Sequence, residues 1–277
     1  MDGLPLNEII HGDCLKVMRQ FPDKSIDMIL CDLPYGVTDC KWDTIIPFEP
    51  LWEQYERIIK DNRAIVLFAT QPFASVLIMS KPDWFKYEWV WDKVRPSGFQ
   101  VANYKPMQRH ENVLVFSKEG KRVNYFPIME SRDKPSTGKV YGRSDSSPLA
   151  HLDGRKRTYI YKNPQSILKY SKPSKSLHPT QKPVALCEYL IKTYTLPGEV
   201  VLDNCIGSGT TAIACINTGR NFIGIEIEEK YVKIARERIE KHKKLDKMRL
   251  FPISELETGK LQYKGLFELE DESYGEG

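Results

Sequence analysis

Two short runs of this chain combine residue types that do chemistry. The first is Asp203-Asn204-Cys205-Ile206-Gly207-Ser208-Gly209-Thr210-Thr211. Glycines here let the backbone turn tightly from a strand into a helix and approach a ligand closely, while the helix start offers free N–H groups. Glu226 follows roughly 20 residues beyond the glycines, where a carboxylate accepts both hydroxyls of a ribose. Together these residues read as a nucleoside-cofactor site. Gly207 to Ala212 also satisfies G-x-G-x-x-A, so the glycines alone do not separate NAD from another adenosine cofactor. The second run is Asp32-Leu33-Pro34-Tyr35. Alone it reads as an ordinary turn. Beside a nucleoside site it points to chemistry on an amino group: Asp32 and the Leu33 carbonyl accept its hydrogens, and Tyr35 offers a ring to a planar base.

Both runs need strands to carry them. Ser25 to Cys31 is an apolar run of buried-strand length that delivers Asp32 at its carboxyl end. Val200 to Leu202 is a short strand that does the same for Asp203. In a parallel sheet both acids then face one rim, where ligands bind. Ala64 to Ala69, Glu88 to Trp91, Asn112 to Phe116 and Phe222 to Ile225 supply further strands. Helical spacing marks Trp52 to Ile59, a helix from Pro183 through Tyr194, one from Thr210 closed by Gly219, and an amphipathic stretch from Tyr231 to Ile239. This alternation predicts an α/β fold, a mostly parallel sheet with helices on both faces. Only one strand, one helix and a tail follow the glycine turn, so the rest of the sheet comes from the N-terminal half. That order disfavours the competing reading, an NAD-dependent oxidoreductase, whose fingerprint precedes several strand and helix units.

Composition sets the remaining bounds. The 277 residues are 41% hydrophobic and 28% charged, which fits a folded globular protein rather than a disordered or fibrous one. The N-terminus lacks signal-peptide character, and the greasiest stretch, Ala64 to Met79, is interrupted by Gln71 and Pro72, so no membrane partner is expected. Six cysteines (Cys14, Cys31, Cys40, Cys187, Cys205, Cys215) show neither zinc spacing nor a disulfide framework, which suits reduced thiols in a cytoplasm. No histidine has a metal-ligand partner at helical spacing, and no metal is assigned. The net charge of +4 hides an asymmetry: Lys118 to Lys175 holds 14 Lys or Arg against 5 acids, and Pro252 to Gly277 holds 7 acids against 2 bases. The basic segment lacks periodicity and is expected to be an irregular recognition insert or a linker. Its cations are interleaved with Tyr125, Phe126, Tyr141, Tyr159, Tyr161 and Tyr170, a pattern suited to phosphates and unstacked bases.

At these residues the chain resembles the beta class of DNA amino-methyltransferases, S-adenosylmethionine-dependent enzymes whose catalytic motif precedes the cofactor motif. The resemblance rests on five runs in family order: His11-Gly12-Asp13, Asp32 to Tyr35, His110-Glu111-Asn112, His178-Pro179-Thr180-Gln181-Lys182-Pro183, and Asp203 to Thr211 with Glu226. It departs where Leu33 replaces a usual proline and Asn204-Cys205 a usual Pro-Phe. Leu33 keeps the needed carbonyl and loses proline's rigidity. The resemblance implies a Rossmann-like methyltransferase fold with circularly permuted motif order. It further implies catalysis by Asp32, Leu33, Pro34 and Tyr35. Asp203, Gly207, Ser208, Gly209 and Thr210 would hold the methionine part of S-adenosylmethionine, Glu226 its ribose and Asp13 its adenine, with Thr180 and Lys182 lining the methionine side. The implied product is N6-methyladenine in DNA, made by base flipping and direct transfer; N4-cytosine methylation and an inactive DNA-binding module are the alternatives. Expected partners are double-stranded DNA, with a second copy of the chain and a cognate restriction endonuclease left open. Residues 1–117 form the catalytic half, 118–175 the target-recognition insert with Arg155, Lys156 and Arg157 on DNA, 176–250 the cofactor half, and 251–277 an acidic tail.

Overall fold

The computed structural model of the chain describes residues 3–36, 44–118, 120, 122–144, 147–172 and 181–249. Its strands are β1 (Glu8–His11), β2 (Ile26–Asp32), β3 (Ile59–Ala69), β4 (Phe85–Ser97), β5 (Gln108–Phe116), β6 (Glu130–Ser144), β7 (Ser147–Lys162), β8 (Ile167–Lys169), β9 (Val200–Asp203) and β10 (Asn221–Glu226). Helices are α1 (Cys14–Met18), α2 (Phe48–Ile58), α3 (Phe73–Ser80), α4 (Val184–Tyr194), α5 (Thr210–Thr218) and α6 (Glu229–Arg249). Eight strands form one sheet in the order β1-β10-β9-β2-β3-β5-β4-β8. Strands β1, β10, β9, β2 and β3 pair in parallel, and β5 runs antiparallel to both β3 and β4.

Strand alternation decides which side chains meet. Met28 and Leu30 of β2, with Ala64, Val66 and Phe68 of β3, pack under α4, α5 and α6. Ile29 and Cys31, with Ile65 and Leu67, pack under α1, α2 and α3. Because side chains on a strand repeat every two residues, Asp32 continues the row of Leu30 and emerges on the α4 side. The same parity carries Glu111 from Val113 and Val115 on β5, and Lys93 from Trp89 and Trp91 on β4, onto that face. Helix α4 begins after Pro183 and buries Leu186, Leu190 and Ile191 on the sheet. Helix α5 ends on left-handed Gly219, whose N–H bonds the Cys215 and Ile216 carbonyls, so that the last turn is closed by a residue without a Cβ.

Outside residues 118–175, three helices or strands are not marked by the sequence pattern: β1, α1 and α3. Residues 118–175, expected to be irregular, instead hold a long antiparallel hairpin, β6 with β7, which forms its own two-stranded sheet. The segment's ends belong to the main body. There β8 pairs with β4, Val123 and Tyr170 pack against the core, and the Phe126 N–H bonds the Thr193 carbonyl. Tyr170 is therefore a core ring and not a stacking surface. Cys40, the run from His178 to Thr180, and the tail from 251 to 277 lie outside the described residues. Among the described residues no helix is long and apolar enough to cross a membrane, and Cys14, Cys31, Cys187, Cys205 and Cys215 are free thiols.

Candidate active site

Strands β2 and β9 are neighbours, so Asp32 and Asp203 end adjacent parallel strands, and Glu226 ends β10 on the far side of β9. All three open into one cavity of about 400 Å³, which Asp13, Leu33, Pro34, Tyr35, Lys182, Gly207, Ser208 and Thr210 also line. The sequence runs chosen for their chemistry thus converge on one place. Thr180 lies outside the described residues.

At one end of the cavity the carboxylates are held by neighbouring donors. Asp203 is buried and accepts from the Thr211 hydroxyl at 2.6 Å and the Cys205 N–H at 3.1 Å. Burial pushes its carboxyl up to about 7, against these two donors, which favour the charged form. Glu226 accepts from the Gly207 N–H at 2.8 Å and the Glu228 N–H at 2.9 Å, and burial raises its carboxyl too. Each oxygen keeps a lone pair for a ligand. Gly209 is the left-handed residue that opens α5; a Cβ there would stand 3.1 Å from the Ala235 Cβ, so glycine is required both by conformation and by room. Arg238 of α6 ties the turn down, donating to the Ser208 carbonyl at 2.9 Å and the Thr210 hydroxyl at 3.1 Å. Asp13 uses one carboxylate oxygen as the N-cap of α1, accepting from Leu15 and Lys16 N–H groups, and leaves the other for the cavity.

The other end is a network of charges. Asp32 accepts from the Tyr35 hydroxyl on one oxygen and from the Lys182 ammonium on the other, each at 2.5 Å. Burial first, then the charges of Asp32 and Glu111, hold the Tyr35 phenol well above its ordinary range, so it stays a donor. Its ring leans on Phe73 at 5.0 Å between centroids. Lys182 also stands 3.4 Å from Glu111, whose second oxygen is paired with Lys93 at 3.4 Å. Burial alone would lower the Lys182 pKa, but the carboxylates of Asp32 and Glu111 outweigh it and raise it. Lys182 therefore meets the catalytic strand end, beyond the methionine-side lining expected of it.

Three residues here are not marked as functional by the sequence. Glu111 stands only within a motif, Arg238 only among the residues of an amphipathic helix, and Lys93 in neither. Lys93 had a visible signal: it follows Trp89 and Trp91 at period two, and a lysine at a buried parity, 1% exposed, demands a partner. Rings were overlooked as well. Phe99 (79% exposed) and Tyr104 (89%) stand between β4 and β5, whose paired ends at Ser97 and Gln108 lie at the same rim as Asp32. In the hairpin, Lys156, Tyr159 and Tyr161 of β7 are exposed, and Arg157 pairs in register with Gly138. The side chains of Arg155 and Arg157 lie outside the described set.

The chain is similar to known proteins. A family described as DNA methylase matches residues 26–237. The type II methyltransferase M.HinfI of Haemophilus influenzae is 30% identical over 268 residues, covering 84% of this chain and 68% of that protein. The DNA adenine methyltransferase YhdJ of Escherichia coli K12 is 28% identical over 275 residues, covering 94% and 91%. Among solved structures, the M1.HpyAVI–SAM complex superimposes with a TM-score of 0.54 at 27% identity, covering 83% of this chain and 98% of that one. With the matched region running from the strand of Asp32 past that of Glu226, this chain belongs to the DNA methylase family.

Proposed function

We propose that this chain transfers a methyl group from S-adenosylmethionine to the exocyclic N6 of adenine in double-stranded DNA. The observation that carries this reading is the convergence of Asp32 with Asp203 and Glu226 in one cavity, from strand ends that lie side by side. The residues fit the donor. A volume of about 400 Å³ lies in the range of small-molecule sites, Glu226 keeps lone pairs for a ribose diol, Asp203 for an amino-acid ammonium, and Asp13 one oxygen for an adenine amine. Gly207 to Thr210 supply the turn that lets the ligand lie on backbone. Bound there, the donor supplies an electrophilic methyl on a positively charged sulfur.

The chain's own residues do the rest. An exocyclic amine is a poor nucleophile because its lone pair is delocalised into the ring. Asp32 and the Leu33 carbonyl accept its hydrogens, which localises the lone pair and holds the nitrogen in line with the methyl. As the nitrogen–carbon bond forms and the sulfur–carbon bond breaks, positive charge develops on that nitrogen and these acceptors stabilise the transition state more than the ground state; the surplus N6 proton then leaves along its hydrogen bond to Asp32 and passes to water. Leu33 is buried, so packing supplies part of the rigidity that proline would give its carbonyl. A paired base cannot reach this pocket and is flipped out, with the Tyr35 ring replacing lost stacking.

The hairpin within 118–175 is the target-recognition region in this proposal, and Arg155, Lys156 and Arg157 meet phosphates, while residues 1–117 and 176–250 act as the catalytic and cofactor halves. Phe99 and Tyr104 extend the DNA face at the rim. The name of YhdJ supports adenine as the target. The type II name of M.HinfI supports a cognate restriction endonuclease as partner, and a second copy of the chain is the other proposed partner. Incubating the protein with unmethylated DNA and radiolabelled S-adenosylmethionine, then digesting to nucleosides, tests the assignment: label in N6-methyl-2′-deoxyadenosine supports it, and label in N4-methyl-2′-deoxycytidine or in none overturns it.

A further inference from the structure

The target amine and Lys182 compete for one carboxylate. The Lys182 ammonium sits 2.5 Å from Asp32, on an oxygen that the proposed reaction needs for the substrate. Beside it lies Glu111, 8% exposed, whose buried Oε2 is ion-paired with the same ammonium at 3.4 Å but has no hydrogen bond among the described residues. The pair is long for a charge-assisted hydrogen bond, and a closer approach of the ammonium would supply the bond that this buried oxygen lacks. The other Glu111 oxygen faces Lys93, itself 1% exposed, at 3.4 Å and Lys172 at 4.0 Å, so the carboxylate is anchored from behind.

We propose that Lys182 is a placeholder for the substrate amine and that Glu111 is the positioning residue that receives it. Without a base in the pocket, Lys182 balances the charge of Asp32. When the flipped base arrives, its amine takes the Asp32 oxygen and the ammonium, already 3.4 Å from Glu111 Oε2, closes onto that oxygen as a hydrogen bond, a shift that the flexible lysine stem allows. The move is also required electrostatically. Methyl transfer places a positive charge on the amine, and two cations on one carboxylate repel each other in a site with little water. This inference rests on the proposed reaction at Asp32 and adds the residues that free that acid for use.

Steady-state transfer with the full-length protein separates the two ideas, using unmethylated DNA as substrate. Transfer by the wild-type chain tests the reaction itself; the ranking of variants tests the placeholder. Arginine grips a carboxylate through a two-pronged fork and lets go less readily than lysine. Lys182→Arg is therefore expected to have a lower kcat than Lys182→Met, by about tenfold, although arginine keeps the charge. Glu111→Gln is expected to lower kcat about tenfold while KM for S-adenosylmethionine and its equilibrium Kd stay within about twofold; in the Lys182→Met background the same change should alter kcat by less than about twofold. Melting curves check that each variant folds, and Lys182→Gln replaces Lys182→Met if the latter does not. An arginine variant at least as active as the methionine one, or a Glu111→Gln loss undiminished without the lysine, overturns the proposal.

Discussion

The two ends of the cavity are built on different principles. At the Asp203 and Glu226 end, carboxylates are held by backbone N–H groups and one short hydroxyl bond from Thr211, and the glycine turn is fastened by Arg238. At the Asp32 end, the partners are side-chain charges, Lys182, Glu111 and Lys93, at the tips of long stems. Backbone donors are fixed by the fold and stay in place when a ligand leaves. Charged tips can be exchanged without moving the chain. A binding site for one invariant cofactor suits the first, and a site that must admit, react with and release a base suits the second.

The sharpest way to break this contrast is to disable each end alone. Asp32→Ala is expected to lower methyl transfer by at least about a thousandfold while the Kd for S-adenosylmethionine moves only a few fold, measured by radiolabelled transfer and equilibrium binding. Near-normal transfer would remove Asp32 from the chemistry. Gly207→Trp does the reverse: φ of 51° at this position is strained for a side chain, and an indole fills the turn. Cofactor affinity should drop by about a hundredfold or more with DNA binding retained, and calorimetry showing unchanged affinity would contradict the donor-end assignment.

Proton linkage gives a finer probe. Burial lifts Asp203 to about 7 in the folded chain from 3.8, so the folded state holds this proton more tightly than the unfolded one. Its contribution to the stability of the ligand-free protein is complete below about pH 4 and is lost as pH rises through about 7. Cofactor affinity runs the opposite way, because only ionised Asp203 attracts an ammonium. The Kd is expected to weaken about tenfold per pH unit below about 7, and Asp203→Asn to bind weakly with no such slope. A pH-independent Kd in the native protein would show that Asp203 is not the titrating contact.

The smallest effect concerns the hairpin, which stands apart from both ends. Neutralising Arg155, Lys156 and Arg157 together should weaken DNA binding and reduce its log–log salt slope by up to about 3 units, with S-adenosylmethionine affinity unchanged. An unaltered slope in titrations at several salt concentrations would move phosphate contact elsewhere.

Much of the frame could be read from local pattern. Helix α4 was legible because Pro183 opens it and Leu186, Leu190 and Ile191 share a face, and β2 because its apolar run ends abruptly at Asp32. The hairpin was not. None of its described side chains, 130–138, 156 and 158–162, is buried, so these stretches show no half-buried alternation, and their pairing with each other makes the strands regular. Strand β1 and helix α1 escaped for a related reason: each is short, and each is completed by β10 or by the Asp13 cap.

By itself the sequence determined which residue types stand at the ends of which strands: Asp32, Asp203 and Glu226 follow apolar runs, and glycines follow one of them. Those are local facts, dictated by hydrophobic periodicity and by the conformations that glycine alone adopts without strain. Tertiary structure alone decided which charges meet. Lys93, Glu111 and Lys182 come from β4, β5 and the turn before α4, and they join in a chain that reaches Asp32 through Lys182 only because the sheet order sets those strands near β2 and strand parity turns their side chains to one face. No spacing in the chain encodes that meeting, because attraction between charges depends on distance through space and not along the sequence.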